Sequence, residues 1–120
     1  MNFMKSLQNN LKQVKNALLT VRTESGAAVP CYHYVRPANA VNGYIVWAED
    51  GEETSFDADN QKQEQKIHGT VDYFTQKEFD EVCDNIQTAL ITAGIGFRLY
   101  SVQYEDDTKL IHYEWAFWVA

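Results

Sequence analysis

The segment Leu110–Val119 alternates between two kinds of side chain with a period of two. Every odd position from 111 to 119 is apolar or aromatic, whereas the even positions carry His112, Glu114, Ala116 and Trp118. This period is typical of a β-strand, in which successive side chains point to opposite faces of the sheet. A strand face this apolar must be covered by another layer of protein, so the pattern predicts that this strand supplies the main core.

The preceding segment predicts a helix that covers this strand. Residues 75–78, Thr-Gln-Lys-Glu, match a capping box, in which the Thr75 and Glu78 side chains bond each other's backbone N–H groups. Gly94 is suited to end the helix in a left-handed conformation, before a strand that begins near Gly96. Between these limits, apolar residues recur at helical spacing: Phe79, Val82, Cys83, Ile86, Leu90 and Ala93. We therefore expect one buried helix face, then a strand and a turn at residues 106–108.

A first helix and three strands precede this block. A helix within residues 1–25, ending near Gly26, is indicated by a second apolar stripe: Phe3, Leu7, Leu11, Val14, Leu18 and Val21. Residues 29–35 resemble a strand, but Pro30 and Pro37 restrict it to a sheet edge or a short bridge. Residues 44–48 and 66–75 predict two more strands. The expected fold is α+β in one domain, residues 1–120, with order α-β-β-β-α-β-β and two helices packed on an antiparallel or mixed sheet.

Composition excludes several classes of protein. The 120 residues are 45% hydrophobic and include three Trp, seven Tyr and six Phe, which argues against intrinsic disorder. No apolar run approaches the roughly 20 residues that cross a bilayer. The net charge of −7 repels phosphates, so we expect no sequence-specific binding of nucleic acid. The N-terminus lacks the pattern of a secretory signal, and Cys31 and Cys83 lie on separate predicted elements, so we expect synthesis in a reducing cytosol.

The connection over residues 49–66 is long and acidic. Its acidic residues are Glu49, Asp50, Glu52, Glu53, Asp57, Asp59 and Glu64. Structureless connections beyond about 12 to 15 residues in a compact domain are usually functional or disordered. Phe56 is its evident apolar anchor, so this segment has little apolar surface with which to offset the entropy of ordering. We expect it to become ordered only against a partner.

Three groups of residues have incomplete metal-site patterns. Residues 57–60, Asp-Ala-Asp-Asn, resemble the start of a calcium loop, but the sixth position is Lys62 and the twelfth is His68 instead of Gly and Glu. Cys31 and His33 could supply two zinc ligands, yet the sequence places no second pair beside them. His68 and His112 could meet across paired strands, although such residues more often serve in packing. We expect no metal and no cofactor.

No nucleophile, phosphate-binding or zinc-protease motif occurs in the sequence, so we expect no catalytic residue and no enzyme. Trp118 is the other notable side chain, because it lies on the face opposite Trp115 and is too large to leave bare without cause. One interpretation is a sheet with core on both faces; the other is a protein interface, where aromatic residues are enriched. The aromatic residues, Tyr44 and Trp47 among them, could also line a ligand pocket.

Several segments together resemble a family of phage proteins. They are residues 44–51 (YIVWAEDG), 56–60 (FDADN), 69–75 (GTVDYFT), 78–80 (EFD), 101–107 (SVQYEDD) and 111–115 (IHYEW). Over roughly residues 30–119, the chain resembles small prophage proteins of Gram-positive bacteria that are encoded among head and tail genes and assigned as tail terminator or tail completion proteins. The N-terminal helix fits this family in kind and not by motif.

The resemblance implies an α+β subunit that assembles into a ring, commonly of six copies. Such a ring caps the tail tube, stops its growth and faces the head-side connector, which places the protein in the virion. On this view the interface residues are Trp118, Phe56, Glu52, Glu53, Asp57 and Asp59. A head-completion or connector protein of the phage neck is one alternative. The other, from a different class, is a cytosolic module that binds a small ligand.

Overall fold

The structure, a computed structural model, describes residues 6–52 and 65–120. Its elements are α1 (Leu7–Leu19), β1 (Cys31–His33), β2 (Tyr44–Glu52), β3 (Ile67–Thr75), α2 (Glu81–Thr92), β4 (Gly96–Glu105) and β5 (Leu110–Val119). The predicted α+β fold and its order α-β-β-β-α-β-β are confirmed.

The five strands form one mixed sheet in the order β1-β2-β3-β5-β4. Strand β1 pairs with β2 in parallel, and the other three pairings are antiparallel. The predicted edge position of the proline-flanked strand is confirmed, but the strand covers only Cys31–His33 instead of residues 29–35. Pro30 still contributes its carbonyl, which accepts the N–H of Ile45 at 2.8 Å.

One face of the sheet carries the main core, and both helices pack on it. Trp115 and Phe117 of β5 are buried there together with Val71 of β3, as the alternation in β5 predicted. The helices contribute Val14, Ala17, Leu18, Val82, Ile86 and Leu90 to the same cluster. Phe117 lies opposite Gly69, where an added β-carbon would overlap its ring. The opposite face of the sheet, called here the helix-free face, carries the even positions of β5.

Helix α1 is shorter than predicted; burial of its predicted stripe is confirmed at Val14 and Leu18 but not at Leu7. It ends at Leu19 instead of near Gly26, because the chain turns back after it and Arg22 forms a bridge with Ala28. Leu7 is 41% exposed. Asn10 takes a buried position one turn before Val14, and its side-chain amide has no hydrogen-bond partner among the described residues.

Helix α2 begins five residues later than the capping box at Thr75 predicted. Thr75 is the last residue of β3, and Asp80 caps the helix by accepting the N–H of Val82 at 2.9 Å. Phe79, placed by prediction on the buried stripe, has a positive φ of 58° and is 88% exposed. The predicted end of α2 is confirmed, since Gly94 takes a φ of 73°.

The acidic connection is shorter than the sequence predicted, because β2 continues through Glu49 to Glu52 and pairs with β3. Residues 53–64 lie outside the described residues. Glu53, Phe56, Asp57 and Asp59 are among them, so their assignment to an interface and the expected ordering against a partner stay predictions. Neither helix of the described chain is both long and apolar enough to cross a membrane.

Candidate assembly surface

Strand β4 forms an exposed edge of the sheet. It pairs with β5 on one side, and no described strand pairs with its other side. Four of its apolar or aromatic side chains are exposed: Leu99 by 47%, Tyr100 by 60%, Val102 by 48% and Tyr104 by 59%. A long edge strand offers unpaired N–H and C=O groups to another chain, and exposed apolar side chains add to that tendency. This edge, residues 96–105, is therefore a candidate surface for association.

A bulge divides the β4 edge into two halves. The pairing with β5 shifts between Leu99 and Ser101, so Tyr100 is the extra residue. The guanidinium carbon of Arg98 lies 5.5 Å from the centre of the Tyr100 ring, a cation–π contact. Bulges and charged residues are devices that limit indiscriminate edge pairing. The edge is thus apolar enough to associate but shaped to restrict its partners.

Trp118 lies beside this edge on the helix-free face and is 38% exposed. It pairs with Gly96 of β4 and with His68 of β3. A β-carbon added at Gly96 would overlap the indole of Trp118, so the missing side chain makes room for the ring. Part of the Trp118 ring packs on the sheet and part is open to solvent. This is intermediate between the two interpretations from the sequence, a buried core residue and an interface residue.

We expect Gly96→Ala to displace the Trp118 indole, because the new methyl group needs the space that the ring occupies. Overpacking of this kind costs typically about 1 to 3 kcal/mol. Chemical denaturation followed by tryptophan fluorescence should show lower stability and a changed native emission. In a Trp118→Ala background the same glycine substitution should cost much less, and an equal cost there would refute the steric explanation.

Glu52 and Trp118 are the two predicted interface residues within the described part of the chain. Glu52 ends β2 opposite Ile67, which pairs with Val119. The two residues therefore lie at the same end of the sheet, but on opposite faces.

The exposed side chains of β4 were not identified from the sequence, because the β-strand composition of residues 97–104 does not reveal whether a strand is central or at an edge.

The other end of the helix-free face holds a second, small core. Its buried residues are Ala40, Tyr44 and Leu110, and Tyr32, Val46 and Phe74 pack against them. A core on both faces is therefore present at this end of the sheet and does not include Trp118. A neighbouring groove of about 780 Å³ is lined by Val35, Arg36, Tyr44, Phe74, Glu105 and His112 among others.

A polar cluster lies in the middle of the helix-free face. The His112 Nε2 atom is 2.7 Å from Asp72 Oδ1, and its Nδ1 atom is 3.3 Å from Glu105 Oε2. The hydrogen bond with Asp72 raises the pKa of His112 above its ordinary value, and partial burial opposes this increase. His112 pairs with Phe74 and His68 with Trp118, so the expectation that the two histidines could meet is wrong.

Cys31 and His33, the two possible zinc ligands of β1, have different surroundings in the structure. Cys31 packs against the core, where burial raises the pKa of its thiol to about 11. The ring of His33 stacks on Trp47, with 3.8 Å between the ring centroids, and its Nε2 atom lies 2.7 Å from Glu49 Oε1. The His33 ring is therefore occupied by stacking and by a carboxylate partner.

Comparisons with known proteins give one kind of match. No protein-family model matches the chain, and no curated protein matches it. Among solved structures, the fold is similar to a chain of a particle described as "Virion of native gene transfer agent (GTA) particle", with a TM-score of 0.57 and 14% sequence identity. The match covers 95% of this chain and 92% of the other. At this identity the two chains share a fold over nearly their whole length, and the likeness reaches no further.

Proposed function

We propose that this protein is a structural component of a phage-type virion and, more specifically, a tail terminator that forms a ring at the head-side end of the tail tube. The exposed apolar edge of β4 is the observation that carries this proposal. The nearly full-length likeness of the fold to a chain from a gene transfer agent virion supports the virion part. The family resemblance of the sequence supports the finer role.

A ring needs a heterologous contact, in which two different surfaces of each subunit meet. The β4 edge is suited to be one of these surfaces, because pairing with a neighbouring copy would satisfy its free backbone groups and cover its apolar side chains. Trp118 lies next to this edge on the face opposite Leu99 and Val102, so it would contribute aromatic area on the other side of the contact. We propose six copies, with the tail tube protein and the head-side connector as the other partners.

The charge of the chain is compatible with a position at a DNA channel. A net charge of −7 keeps passing duplex from adhering to the ring. The role requires no catalysis, and we propose that the protein is not an enzyme. Both thiols would make poor nucleophiles, since burial raises the pKa of Cys31 to about 11 and of Cys83 to about 12.

Val102→Lys tests the contact, because lysine on an edge strand opposes pairing with another chain. Native mass spectrometry should show ring-sized oligomers for the unaltered chain and a dissociation constant at least about tenfold higher for the variant, or about 1.4 kcal/mol. Ile91→Lys is the matched control, since Ile91 is also β-branched and exposed (66%) but lies on α2 instead of β4. Equal association of the unaltered chain and both variants would rule out the β4 edge as the contact.

Electron microscopy of particles carrying Val102→Lys separates the terminator from the alternative in the neck. Loss of a terminator leaves tails of uncontrolled length, whereas loss of a head-completion protein leaves tails of normal length that fail to join filled heads.

A cytosolic ligand-binding module is the remaining candidate, favoured by the groove beside Tyr44 and Phe74. A monomeric protein that is absent from purified particles would support that candidate and contradict a virion role.

A further inference from the structure

The polar cluster on the helix-free face has the donor set of a metal site. Among the described residues, Asp72, His112 and Glu114 each direct one ligand-type atom to a common place, and these atoms lie within 4.8 Å of one another. All three side chains are partly buried. One imidazole nitrogen with carboxylate oxygens is a combination that suits divalent transition ions such as Zn²⁺ and Mn²⁺.

The strand register produces this convergence. Asp72 of β3 pairs directly with Glu114 of β5, and His112 lies two residues from Glu114 on the same face. Like charges directly opposite each other across a strand pair destabilise a sheet. The carboxylates of Asp72 and Glu105 lie beside the two nitrogen atoms of the His112 ring. A divalent cation bound between Asp72 and Glu114 would relieve this repulsion.

Glu105 lies beside the other nitrogen atom of the His112 ring. Its Oε2 atom lies 3.3 Å from the Nδ1 atom of His112, on the side of the ring away from Asp72. Histidines that bind metals usually donate their other N–H to a carboxylate, which fixes the tautomer and the ring orientation. In the structure the Nε2–H of His112 donates to Asp72 Oδ1 at 2.7 Å, so a bound ion would take the place of this proton and the ring would keep its proton on Nδ1, towards Glu105.

We propose that Asp72, the Nε2 atom of His112 and Glu114 bind one divalent transition ion of the Zn²⁺ class, with Glu105 positioning the His112 ring. The groove lined by Asp72, Glu105 and His112 gives the ion a path from solvent. Ca²⁺ and Mg²⁺ fit less well, because Ca²⁺ prefers six to eight oxygen ligands and Mg²⁺ a near-ideal octahedron. A bound ion would tie β3 to β5 in the middle of the sheet, whatever the assembly role of the protein.

Zinc uptake by the purified full chain tests this site. After treatment with a chelator and dialysis, titration with Zn²⁺ should show one ion per chain, and the melting temperature should rise with Zn²⁺ because the ion binds the folded state. Asp72→Asn and Glu114→Gln should each weaken Zn²⁺ binding by more than about tenfold, and Glu105→Gln by about 10- to 100-fold. Binding should be weaker at pH 5.5 than at pH 8, since a proton competes for Nε2.

Glu78→Gln is the matched control, because Glu78 is an exposed acid in the β3–α2 connection; Zn²⁺ binding should not change. Circular dichroism establishes that each variant is folded, and either ligand variant is sufficient for the comparison. The proposal is overturned if the folded chain takes up no stoichiometric Zn²⁺. It is equally overturned if both ligand variants bind Zn²⁺ as tightly as the unaltered chain, which would indicate nonspecific association with acidic surface.

Discussion

Trp115→Ala should lower the free energy of unfolding by about 3 to 5 kcal/mol, which combines lost burial with the cavity that remains. Trp115 is 1% exposed at the centre of the sheet, between Val71 of β3 and Leu99 of β4. Its Nε1–H also donates to Gln87 Oε1 at 3.0 Å, so the substitution removes a hydrogen bond between β5 and α2 as well. Urea denaturation of the unaltered and substituted chains measures the difference.

Trp118→Ala is the matched control for this prediction. It removes the same side chain from the same strand, but from the opposite face, where 38% of Trp118 is exposed. The control should cost clearly less, because much of its ring already contacts water. If Trp115→Ala costs below about 1 kcal/mol, the odd face of β5 is not the main core. Should Trp115→Ala fail to fold, Trp115→Phe, which keeps an aromatic ring, allows the same comparison.

Asp80→Ala should cost about 2 to 4 kcal/mol, since it removes a helix cap and leaves buried hydroxyl groups without their acceptor. Asp80 is 8% exposed, and its Oδ1 accepts the N–H of Val82. Its Oδ2 accepts the hydroxyls of Tyr73 and Thr75, both at 2.7 Å. Burial and the bond with Asp80 together raise the pKa of Tyr73 far above its ordinary value, so this hydroxyl stays a donor.

Denaturation at neutral pH measures the effect of Asp80→Ala, and two further variants define its cause. Asp80→Asn keeps a cap oxygen and the side-chain volume, so we expect a smaller loss. Asp84→Ala removes an exposed acid from the first turn of the same helix and should change stability by less than about 0.5 kcal/mol. Equal losses for Asp80→Ala and Asp84→Ala would show that the effect is general helix electrostatics and not the buried network.

Local patterns determined the elements of this fold because each pattern reports which face of its own segment is buried. The alternation in β5 correctly predicted its core face, and Gly94 correctly marked the end of α2. The predicted start of α2 was wrong, because the pattern T-x-x-E is the same whether Thr75 caps a helix or ends a strand. The hydroxyl of Tyr73, which lies seven residues before Asp80 and shares its carboxylate, favours the later start.

Sheet order and register were decided by the tertiary structure alone, because they depend on contacts between residues far apart in the chain. Nothing in residues 96–105 by themselves indicates that β4 is an edge, yet that position makes Val102 and Tyr104 a candidate contact. Asp72 and His112 are 40 residues apart and became neighbours only through the pairing of β3 with β5. Periodicity in the sequence fixes the side on which a residue lies; pairing between strands fixes which residues it meets.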